Sequence, residues 1–151
     1  MIRRAICGLC LLLALPAQAA VLRLVDDAGQ TLEFSRPPQR IIALTPHLTE
    51  LLFAVGAGTQ LVGVDSASDY PAAARSLPRV GDYSRINFER ILALKPDLVI
   101  VWVGGNRAAD IHGLKKMGVP LLHTQATRLD DVARLLRLIG QASGHAEAGQ
   151  A

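Results

Sequence analysis

Six residues, Leu98 to Val103, form an unbroken apolar and largely β-branched run, LVIVWV. A strand with one wet face alternates apolar and polar residues. An unbroken run reads instead as a strand buried on both sides, which demands a sheet covered on each face. Upstream, Phe88, Ile91, Leu92 and Leu94 recur at helical spacing. Lys95-Pro96-Asp97 ends that helix, because the residue before a proline is held out of the helical region. Downstream, Gly104-Gly105-Asn106 turns the chain at the strand's carboxyl end. In open α/β sheets that end is where ligands sit.

The remaining chain repeats the pattern. Val21 to Phe34 alternates apolar and polar residues about Asp26-Asp27-Ala28-Gly29, a β-hairpin with an Asp/Gly turn. Arg36-Pro37-Pro38-Gln39 is an extended connector. Residues 40–44 read as the first parallel strand, with Thr45 as N-cap and Pro46 opening a helix where its missing N–H costs nothing. His47 falls in the first turn of that helix, and Leu51, Leu52 and Val55 form its buried side. Residues 61–64 and 119–123 read as strands, and 108–117 as a helix. Residues 129–139 read as a helix whose apolar face is Leu129, Val132, Leu135, Leu136 and Ile139. Residues 144–151 read as the start of another helix. Strands alternating with helices give an α/β fold: a Rossmann-like, mostly parallel sheet with flanking helices and an N-terminal β-hairpin.

Residues 1–19 read as a signal peptide rather than as part of the fold. Arg3 and Arg4 precede an apolar stretch too short to span a bilayer, and Ala17-Gln18-Ala19 is a small-x-small cleavage site. Cleavage there removes both cysteines, Cys7 and Cys10, so no disulfide is expected in the exported chain. It also lowers the formal charge from +3 to +1, leaving 14 basic against 13 acidic residues. The expected compartment is the bacterial periplasm. With no basic cluster and few aromatics, nucleic-acid binding is not indicated.

No nucleophile elbow, phosphate loop, dinucleotide fingerprint or zinc spacing is present, and no acid, base and nucleophile assemble. That argues against the rival class, a secreted enzyme on a Rossmann-like scaffold. His112, His123 and His145 are scattered without ligand spacing. Tyr83, Trp102 and His47, all near one sheet edge, suit the lining of a concave ligand site. Glu89 reads as a solvated helical acid beside arginines. Binding is expected, not catalysis.

At these residues a family comes into view. The stretches DDAGQTLEF, RIIALTPHLTELLFAVGAG, VGVDSASDYP, INFERILALKPDLVIVWVGGN and MGVP resemble the binding proteins that deliver cobalamin and iron complexes to ABC importers. SDYP, the NFERI helix and W-x-GGN are most similar to the vitamin B12 branch. The resemblance implies two α/β lobes joined by a long helix, with a corrinoid clasped between them. It makes residues 20–143 the amino-terminal lobe and 144–151 the start of the linking helix, cut short. Ligand contacts would come from His47, Tyr83, Trp102, Gly104, Gly105 and Asn106. Glu89 would dock to arginines of the permease subunits in the inner membrane. The transported ligand would be cobalamin or a related corrinoid, with no resident cofactor or metal. The alternative cargo is haem, with His47 or Tyr83 on its iron, or an iron-siderophore.

Overall fold

The computed structural model describes residues 21–150, so the leader 1–19 lies outside the described residues. The chain opens with β1 (Leu22–Val25) and β2 (Thr31–Phe34), an antiparallel pair. Then come β3 (Ile41–Ala43), α1 (Pro46–Ala54), β4 (Leu61–Val64), α2 (Phe88–Ala93) and β5 (Leu98–Trp102). The chain continues through α3 (Ala108–Lys116), β6 (Leu121–Thr124) and α4 (Leu129–Ser143). The four later strands form one parallel sheet in the order β4-β3-β5-β6. No helix among the described residues is long and apolar enough to cross a membrane.

The central strands are wet on neither face. Along β3 and β5, Ile41, Ala43, Leu98 and Ile100 face one cluster with Leu48 and Leu52 of α1 and Leu135 and Ile139 of α4. The alternate residues Ile42, Val99 and Val101 face a second cluster with Ile91 of α2 and Leu114 of α3. Two layers of helix therefore sandwich the sheet, and each fully buried leucine or isoleucine contributes about 1.5–3 kcal/mol relative to exposure. The hairpin joins the first cluster through Leu22, Leu24, Leu32 and Phe34.

Several sequence expectations shift. Thr45 holds the extended N-cap backbone, φ −152 and ψ 154, but its side chain caps nothing. Leu92 is 45% exposed, because the short α2 turns Ile91 inward. Val103 lies past the end of β5 and is 44% exposed. Leu129 and Val132 are 87% and 40% exposed, since the first turn of α4 projects beyond the core. The first two residues of the run 119–123 lie outside the strand, which is Leu121–Thr124.

Residues 144–150 do not start a continuous α-helix. Gly144, at φ 81, closes α4 in the left-handed conformation that glycine adopts without penalty. The chain then bends, His145 N donating to Gly140 O at 2.6 Å. A single 3-10 turn, Ala148–Gln150, follows. It lies so close to α4 that a Cβ on Gly149 would fall 2.6 Å from Leu136 O.

Candidate functional site

The strand order carries the argument for where a site belongs. From β3 the chain crosses to β4 on one side, and β5 then pairs on the other. The carboxyl ends of β3 and β5 therefore diverge, and the crevice outside such a switch point is where doubly wound sheets take ligands. A hollow of about 460 Å³ lies there. Its lining includes Thr45 and His47 after β3, Asp65 after β4, Asp82 and Tyr83 before α2, and Trp102 with Gly105 and Asn106 at the end of β5. A second hollow of about 520 Å³ runs between α1 and α4, lined by Leu51, Tyr70, Ala126, Val132 and Leu135. His47 and Trp102 line both.

Trp102 is the wall between the hollows, and three neighbours fix it. His47 meets it edge to face, the rings 5.1 Å apart and 89° from parallel, an arrangement aromatic pairs favour. The indole lies against the Gly104-Gly105 turn. A Cβ on Gly105 would overlap ring atoms Cε3 and Cζ3, and one on Gly104 would stand 3.0 Å from Nε1. Only glycine leaves the ring that seat. Asn106 accepts a hydrogen bond from Trp102 N at 2.8 Å and donates to Leu44 O at 3.0 Å. Its amide thereby ties the end of β5 to the end of β3.

The expected site residues divide accordingly. His47, Tyr83, Trp102, Gly105 and Asn106 line one hollow, whereas Gly104 stays beneath the indole. Tyr83 is 80% exposed, a rim residue rather than a floor. Sequence reasoning missed Asp65, Asp82 and Thr45 as lining groups. Pro46 opening a helix after a strand was the signal available for Thr45. The two aspartates carry no local motif.

Burial lowers the His47 imidazole below its ordinary value, and Glu50 opposes this in part. Asp65 is raised, chiefly by burial and further by the Asp82 charge, against hydrogen bonds from Ala67 and Ser66 and the Arg79 charge. Asp82 is lowered by the Ser84 hydroxyl and the Ser84 and Arg85 backbone N–H groups. Two side-chain atoms at this edge are buried without a partner, Thr45 Oγ1 and Trp102 Nε1. No group of three or more His, Cys, Asp or Glu capable of holding a metal ion occurs among the described residues.

Glu89 stands apart from this crevice, exposed on the first turn of α2. Asn87 caps that helix, its Oδ1 accepting from Arg90 N at 2.9 Å. Glu89 borders a polar groove with Arg85, Arg107 and Asp110, yet forms no ion pair among the described residues.

Comparison with known proteins gives a consistent set of relatives. The profile of the family described as "Periplasmic binding protein" matches residues 41–151. A vitamin B12-binding protein of Vibrio parahaemolyticus is 41% identical over 116 residues, 77% of this chain and 42% of that protein. One from Yersinia pseudotuberculosis is 40% identical over 145 residues, 96% of this chain and 45% of that protein. The periplasmic vitamin B12-binding protein of Vibrio cholerae superimposes with a TM-score of 0.72 at 41% identity, covering 76% of this chain and 45% of that one. A periplasmic heme-binding protein of Pseudomonas aeruginosa gives 0.70 at 30% identity, over 75% of this chain and 41% of its own. The chain thus spans less than half the length of the curated relatives it matches.

Proposed function

The chain belongs to the periplasmic binding protein family, and we propose that it forms one wall of a corrinoid site in the uptake of vitamin B12 by an ABC importer. The observation that carries this reading is the crevice at the β3/β5 switch point, walled by a tryptophan on a glycine seat. A broad, planar macrocycle with an apolar face suits such a wall, because concave sites bind largely through aromatic and apolar contact with few polar groups. Relatives at 40% and 41% identity that are vitamin B12-binding proteins point to the same cargo. Residues 20–143 act as the amino-terminal lobe, working in the periplasm after the leader is removed. Glu89, exposed and unpaired, serves as the docking carboxylate for arginines of the permease.

Haem is the second reading. His47 lines the crevice with its imidazole held toward the neutral, lone-pair form, and Tyr83 stands at the rim. Both are groups able to ligate iron.

One wall buries only part of a corrinoid, so roughly half of the apolar contact, at about 25 cal/mol per Å², is missing, while the entropic losses of association remain. Titration of cyanocobalamin, cobinamide and haemin against the fluorescence of Trp102, the single tryptophan, tests this, with correction for ligand absorption. Cobinamide or cobalamin should bind with a dissociation constant above about 1 μM, the −8 kcal/mol level. Submicromolar binding by this chain alone would refute the half-site. Haemin binding that exceeds corrinoid binding and disappears in His47→Ala or Tyr83→Ala would transfer the site to haem.

A further inference from the structure

We propose that Asp65 and Asp82 set the charge class of the ligand: the crevice accepts a macrocycle bearing amides and rejects one that presents carboxylates. This rests on the corrinoid reading above and sharpens it. The lining contains two carboxylates and no lysine or arginine. Arg79, whose charge reaches Asp65, donates instead to the backbone oxygens of Asp65 and Ser68, at 3.1 and 2.6 Å. Arg85 and Arg107 border Asp82 from the neighbouring groove rather than from this hollow. Asp65 is 5% exposed, and Ala67 N donates to its Oδ1 at 2.8 Å. Ser84 N, Ser84 Oγ and Arg85 N all donate to Asp82 Oδ1, at 2.8, 2.6 and 3.1 Å. Asp82 Oδ2 accepts no hydrogen bond among the described residues.

A second observation points to a ligand rather than to a mere acidic cluster. Thr45, 8% exposed and lining the same hollow, has its Oγ1 buried with no partner. A buried hydroxyl is ordinarily satisfied, and a polar ligand group can complete it. An amide N–H donated to Asp65 or Asp82 makes a charge-assisted hydrogen bond, shorter and stronger than a neutral one. A ligand carboxylate offers only acceptors to acceptors, and two carboxylates sharing a site cannot both remain comfortably ionised. His47 adds no compensating charge, since burial favours its neutral form. The periphery of a corrinoid carries amides, whereas that of haem carries two carboxylates. The same pair of aspartates therefore separates the two candidate cargoes.

The test compares cobinamide with cobyrinic acid, the same ring with carboxylates in place of amides, by equilibrium dialysis against the 151-residue chain. The variants are Asp65→Asn, Asp82→Asn and the double substitution. Asparagine keeps the Oδ1 acceptor that each turn uses, so the fold survives while the charge goes. The wild-type chain should retain cobinamide at least tenfold more tightly than the acid. The double variant should close that gap to within threefold, chiefly by tightening the acid, and raised salt should narrow it in the wild type. Equal binding of the two by the wild type, or a gap the double variant leaves intact, overturns the charge proposal while the corrinoid reading stands. If neither corrinoid is retained even with the chain at about 1 mM, a level at which a half-site of about −4 kcal/mol would still bind, the corrinoid reading fails alone. Haemin against its dimethyl ester then decides the charge proposal, preference for the ester upholding it and preference for the acid overturning it. Retention of none of the four overturns both.

Discussion

His123 and Asp26, 97 residues apart in the chain, meet with Nδ1 2.7 Å from Oδ2. The Asp26 carboxylate is buried completely and also accepts from Ala28 N, Gln30 N and His123 N, at 3.0, 2.7 and 3.1 Å. One side chain thus closes the hairpin turn and fastens it to β6. Beside it, Asp27 accepts from Gln125 N at 2.7 Å and pairs with Arg134 of α4. The hairpin is locked onto the sheet by two consecutive turn aspartates.

Asp26→Ala should therefore cost far more than loss of an ordinary turn residue. It leaves several buried donors unpaired, each worth about 1–3 kcal/mol when orphaned, for a total on the order of 2–4 kcal/mol after relaxation. Urea unfolding should show a lower midpoint with an unchanged slope. A shift of the size usual at an exposed turn would show that the carboxylate does not fasten the hairpin.

Gly105→Ala should unseat Trp102 without abolishing the fold. The new methyl overlaps the indole ring, and overpacking of this kind costs about 1–3 kcal/mol. Far-ultraviolet circular dichroism should be retained, while the near-ultraviolet tryptophan band weakens and Trp102 emission shifts to the red. An unaltered near-ultraviolet spectrum would contradict the glycine seat.

His47 should report its own ionisation through Trp102. The rings are in contact, and an imidazolium quenches indole emission more than the neutral ring does. Burial lowers this group, so the fluorescence midpoint should fall below about 6.5, the ordinary histidine value. The unfolded chain binds the proton more readily than the folded one, so His47 withdraws stability as pH drops through the ordinary histidine range. His47→Gln should abolish both effects. A midpoint at or above the ordinary value would contradict the burial.

Glu89→Ala, placed in a two-lobed chain containing this lobe, should leave corrinoid affinity and thermal midpoint unchanged and weaken association with the importer. Exposed carboxylates steer and orient partners more than they stabilise a fold. Association rates measured against the transporter in nanodiscs check this, and the wild-type rate should fall with added salt. Reduced ligand binding with intact transporter binding would show the assignment to be wrong.

The sheet was legible in the sequence because β5 announces itself. The run Leu98 to Trp102 is short and β-branched, which favours a buried strand over a buried helix, and the Lys95-Pro96-Asp97 break fixes where it starts. Trp102, His47 and Tyr83 could be placed at one edge from topology alone. What stayed hidden depends on contacts distant in sequence. Asp26 reads as a turn residue until His123 arrives beside it. Gly104 and Gly105 read as ligand contacts, and the close approach of the Trp102 indole to both, which leaves no room for a side chain at Gly105, has no local sequence signal. Asp65 and Asp82 lie in separate polar loops and acquire a common role only where the strand ends bring them into one lining. Helical spacing likewise overstated Leu92 and Val132, because periodicity gives a face but not whether anything covers it.

The Asn106 amide, bonded at one end to Trp102 N and at the other to Leu44 O, has a consequence for the energetics of capture. It couples the two strand ends so that the floor of the crevice behaves as one stiff plate. A ligand arriving there need not spend interaction energy on immobilising loose loops, and a surface already organised loses less freedom on association. On the proposed reading, adaptation to ligands of different shape falls to the rim, where Tyr83 is exposed, rather than to the floor.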